Sequence, residues 1–107
     1  MIGGAGRRAE THRRIEDEIR REKAASLGRA GERLDEALWE TERVGRELDT
    51  ARHPAERARL FAAYERARAQ AQSARYALLI QREAIGLRNH RVVDQLFPEP
   101  PRRRRET

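Results

Sequence analysis

The chain has 107 residues, of which 39% are charged and 5% aromatic, and a formal net charge of +6. That length fits one domain, and so few large apolar side chains permit only a thin core between long solvated helices. With no cysteine a disulfide framework and a thiolate metal site are excluded, and the longest apolar run, from Tyr76 to Ile80, is far below the ~20 residues of a membrane span.

Residues 1–8, rich in glycine and ending in Arg7 and Arg8, are expected to form a flexible leader that lacks the apolar stretch of a secretory signal. A first helix is expected over residues 9–52. Up to Lys23 it is almost wholly charged, with Glu10 and Arg14, Glu16 and Arg20, and Asp17 and Arg21 one turn apart. Each such pair contributes only ~0.3 kcal/mol. From Ala30 onward, Leu34, Ala37, Thr41, Val44, Leu48 and Ala51 follow in alternating steps of four and three. This is the stripe one helix face needs to bury itself against another helix. Gly28 and Gly31 each cost ~1 kcal/mol in a helix interior, but the ladder keeps its phase, so the helix is expected to run unbroken.

The turn is expected at residues 52–54. His53 precedes a proline and so avoids helical backbone angles, while Pro54 suits the first position of a new helix, with Glu56 complementing the helix dipole. The second helix is expected over residues 54–89, with the ladder Leu60, Tyr64, Ala67, Ala71, Ala74, Leu78, Gln81 and Ile85. So short a connection folds the two stripes together. The expected fold is all-α: an antiparallel two-helix hairpin, coiled-coil-like, with an alanine-rich seam. Residues at one level should have numbers summing to about 105, placing Leu34 near Ala71 and Leu27 near Leu78.

Beyond Asn89 and His90, an apolar turn over residues 91–97 uses Val92, Val93, Leu96 and Phe97 and completes a single domain over residues 9–97. Pro98-Glu99-Pro100-Pro101 favours a polyproline segment and opens a flexible Pro/Arg-rich tail, residues 98–107. Small secreted hairpins of the WXG class are similar in length and topology. The turn here reads Arg52-His53-Pro54-Ala55 in place of their Trp-x-Gly, so the resemblance implies an architecture alone.

Residues 26–52 carry five basic and seven acidic side chains, and residues 53–90 carry seven and three, which favours pairing of the two helices. Arg68, Arg75 and Arg82 recur every seven residues beside the seam. Their stems can cover apolar surface while their heads reach Glu36, Glu40 or Glu47; the competing reading is a phosphate-binding stripe. Arg102, Arg103, Arg104 and Arg105 offer an electrostatic contact with nucleic acid, acidic protein or anionic lipid. Without interleaved aromatics such a contact would be salt-sensitive and poorly sequence-specific.

No nucleophile–base pair, glycine-rich phosphate loop or paired-histidine motif can be assembled. His12 and His90, expected close together at the open end near Glu16 and Glu83, lack the Glu-x-x-His signature of a helical metal site. No catalytic residue, cofactor, metal or small-molecule substrate is therefore expected. Outside the seam, Trp39 points away from the second helix, and Tyr76, Leu79, Ile80 and Leu87 lie on that helix's outer side. Such a patch calls for a cover: the terminal turn, the N-terminal extension or another subunit. The expectation is a cytoplasmic, non-enzymatic interaction module that binds through these five residues. It would form a homo-oligomer, most simply a two-fold dimer, or engage a helical protein partner. The alternative is a nucleic-acid-associated basic protein using the second-helix arginines and the arginine tail.

Overall fold

The computed structural model describes residues 3–104. It is all-helical: α1 spans Gly3–Thr50, α2 Pro54–Ala84 and α3 Arg91–Leu96, with no strand among the described residues. The two long helices pack against each other. At ~1.5 Å per residue α1 is ~70 Å long, and it sets most of the molecule's extent of 82 by 22 by 15 Å.

α1 begins at Gly3, within the stretch expected as a leader and ahead of the expected start at residue 9. Extending an existing helix adds one hydrogen bond per residue fixed, and arginines such as Arg7 and Arg8 propagate it well. Gly28 and Gly31 do not interrupt it. On the expected ladder Ala30, Leu34, Thr41, Val44 and Leu48 are buried, as are Tyr64, Ala67, Ala71 and Leu78 on α2. The hydroxyl of buried Thr41 donates to the Ala37 carbonyl at 2.8 Å, so an apolar seam accommodates it without an orphaned donor.

Two clusters form the core. Val44, Leu48 and Tyr64 sit near the turn, with Leu60, Phe61 and Ala63 against them. Farther out, Ala30, Leu34 and Leu78 pack with Val93 of α3, flanked by Leu27, Leu38, Ala74, Leu79 and Phe97. Ser26 Oγ donates to Gln81 Oε1 at 3.0 Å, and Leu27 packs in the cluster that contains Leu78, so facing residues have numbers summing to about 105 to 107. α1 stops at Thr50 instead of residue 52, and residues 51–53 connect it to α2. There Arg57 Nη1 donates to the carbonyls of Leu48 at 2.9 Å and Ala51 at 2.8 Å, satisfying acceptors that a helix end leaves free. His53 caps α2, its Nδ1 accepting from the Ala55 amide at 3.2 Å.

α2 ends at Ala84 rather than residue 89. Gly86 has φ 91°, its amide donates to Glu83 O at 3.0 Å, and the Leu87 amide donates to Arg82 O at 2.9 Å. This is a Schellman stop, which needs the left-handed conformation that glycine adopts freely. Ile85, the last residue of the expected ladder, is consequently 37% exposed. The chain then reverses, and α3 lays Val93, 3% exposed, onto the core. Arg105 lies outside the described residues.

Candidate interaction surface

The arginines beside the seam hold the returning C-terminal segment. Arg82 donates through Nη2 to Asn89 O at 2.9 Å and through Nε to His90 Nδ1 at 3.3 Å. Arg75, only 5% exposed, donates to the Phe97 carbonyl and reaches Asp94 at 3.5 Å and Glu99 at 3.7 Å. Arg68 Nε donates to Pro100 O at 3.3 Å, and Tyr64 Oη to Pro101 O at 2.6 Å. Seven helical residues rise ~10.5 Å and three polyproline residues ~9.3 Å, so Arg75 and Arg68 match the carbonyls of Phe97 and Pro100.

These contacts correct the expected pairing of the arginines with carboxylates of the first helix. Glu40 and Glu47 are instead taken by Arg43, whose Nε lies 3.0 Å from Glu40 Oε2 and whose Nη1 lies 2.6 Å from Glu47 Oε1. The hydrogen bonds from Arg43 hold the Glu40 carboxyl below the usual carboxylate range. As a phosphate stripe, Arg68, Arg75 and Arg82 would first have to release the chain's own carbonyls.

Farther along, Arg103 pairs with Asp49 of α1 and lies 5.0 Å from the centre of the Tyr64 ring. Its hydrogen bond depresses the Asp49 carboxyl. Arg102 and Arg104 are exposed.

The five residues expected to bind a partner occupy different places. Trp39, 60% exposed, lines an open cleft of 540 Å³ between α1 and the C-terminal segment, together with Leu38, Leu96 and Pro98. None of the other four lines it. Tyr76 and Ile80, 56% and 67% exposed, lie one turn apart on α2, and Leu87, 42% exposed, lies past the helix end. Leu79 is half-buried against the core cluster that includes Val93.

The histidines are separated. His90 Nδ1 accepts from Arg82, leaving Nε2 to meet Glu83 Oε1 at 3.0 Å, whereas His12 Nε2 lies 2.9 Å from Glu16. Because α2 stops opposite about residue 23 of α1, His12 projects roughly 16 Å beyond that level. The expected proximity therefore does not occur, and no group of metal-binding side chains forms among the described residues. No helix among them is long and apolar enough to cross a membrane. No protein-family model matches the chain, and neither a curated protein nor a solved structure matches it.

Proposed function

We propose that this chain is a non-enzymatic helical-hairpin interaction module, an assembly, adaptor or scaffold component that associates with itself. One observation carries this reading. Trp39, Tyr76 and Ile80 stay 60%, 56% and 67% exposed, although the chain has an apolar C-terminal segment and lays it over other surface. Large apolar groups held outward on packed helices are the usual anchors of protein interfaces. A coiled-coil-like seam between α1 and α2 would keep them fixed.

Sedimentation equilibrium at tens of micromolar tests the proposal. A mass above the 12.4 kDa of one chain is expected, and a strict monomer would refute self-association. A second reading, binding of nucleic acid through phosphates, is favoured by exposed Arg102 and Arg104 and by the net charge of +6. A DNA or RNA shift at ~150 mM salt, lost on deleting residues 98–107, would support it.

A further inference from the structure

Opposite the seam, α2 bears a second heptad. Ala62, Arg66, Ala69, Ser73, Tyr76, Ile80 and Glu83 follow in alternating steps of four and three, and all are exposed. In a chain that is 39% charged, the stretch of this face from Ala69 to Ile80 has no charged side chain. Arg75, the one charge within that stretch of sequence, turns toward the C-terminal segment. Charges stand only at the two ends. Arg66 makes no ion pair among the described residues, and Glu83, 59% exposed, reaches His90 through Oε1.

We infer that this face receives the same face of a second copy, with the two α2 helices antiparallel about a two-fold axis near residues 74–75. The inference rests on the self-association proposed above and identifies the surface responsible. Antiparallel helices pair one heptad position with the other across each layer. Setting Ser73 against Tyr76 of the second copy also sets Ala69 against Ile80 and Arg66 against Glu83. Every large side chain then meets a small one, and each end charge meets its opposite. Sliding by a heptad in one direction stacks Tyr76 on Ile80. In the other it pairs Ala69 with Ser73 and leaves a void. Parallel pairing would bring Arg66 against Arg66.

The full chain tests this directly. Ile80→Glu places a carboxylate in the uncharged layer, and its outward position spares the fold, which circular dichroism would confirm. The dissociation constant of the dimer should rise at least about tenfold. Because the chain has no cysteine, Ala69→Cys and Ile80→Cys add a geometric test. Mixed together, they should form an oxidised cross-linked dimer. Either alone should not, since identical positions would lie ~16 Å apart along the axes, beyond the ~7 Å Cα reach of a disulfide. Cross-linking of single variants as efficient as that of the mixture would overturn the register. A wild-type dimer that Ile80→Glu leaves equally tight would overturn the surface while sparing self-association. A wild-type monomer would remove both.

Discussion

Arg103 crosses α1 at Gly45, where a Cβ would lie 3.0 Å from its Nη2 and 3.3 Å from Cε2 of Tyr64. The guanidinium is a flexible end and can move, but Tyr64 is 2% exposed and cannot. Gly45→Ala should therefore displace Arg103 from Asp49 and crowd the added Cβ against the fixed Tyr64 ring, a cost that outweighs the gain of ~1 kcal/mol in helix propensity. Trypsin should cleave at Arg102 to Arg104 faster than in the parent chain, and the thermal midpoint should fall.

Gly28 supplies the contrast. It is exposed, and a Cβ there meets nothing within 4 Å. Gly28→Ala should stabilise the helix pair by ~1 kcal/mol, and a thermal melt should show a midpoint raised by roughly 4 °C.

Arg75 binds the C-terminal segment at Phe97, Asp94 and Glu99. Replacing it by alanine should weaken docking by about 2 kcal/mol, the scale of hydrogen bonds to a charged group. Hydrogen exchange should show lost protection of the Phe97 amide, which donates to Val93 O at 2.8 Å, with the α2 amides unchanged. Arg75→Lys should not restore protection, because an ammonium lacks the planar fork that serves three acceptors at once.

The Asp49–Arg103 pair gives docking a pH dependence of defined sign. Arg103 depresses the folded-state pKa of Asp49. Its contribution is thus present above the unfolded value, ~3.9, and is lost as pH falls through the folded value. Trp39 lines the same cleft as both residues and is the only tryptophan. Its fluorescence should change as pH falls below ~3.9, and Asp49→Asn should remove that component. An identical titration in the variant would assign the change to another carboxylate.

Much of the helix pair was legible because a buried stripe is a local pattern: the positions from Ala30 to Leu48 and from Tyr64 to Leu78 announce it by spacing alone. The end of α2 was not, since the apolar period runs on through Ile85 and only the backbone angle of Gly86 stops the helix. The role of the heptad arginines escaped for a different reason. Their partners are main-chain carbonyls of a distant segment, which leave no trace in a side-chain pattern. Leu38 and Gly45, seven residues apart beside the ladder, were the available signal for a third segment on that flank. The exposure of Tyr76 and Ile80 followed from helical phase, whereas their separation from Trp39 depended on where the C-terminal segment lay.

Small-angle X-ray scattering of the full chain tests the proposed assembly most directly, because it reads mass and length together. The axis near residues 74–75 lies opposite about residue 32 of α1, so each α1 N-terminus would project ~45 Å from it and the dimer would span ~90 Å. The expected result is twice the mass of the 12.4 kDa chain within a length close to the 82 Å of one copy. A particle of one chain's mass, or a dimer extended to roughly 150 Å by end-to-end contact of such rods, would contradict it.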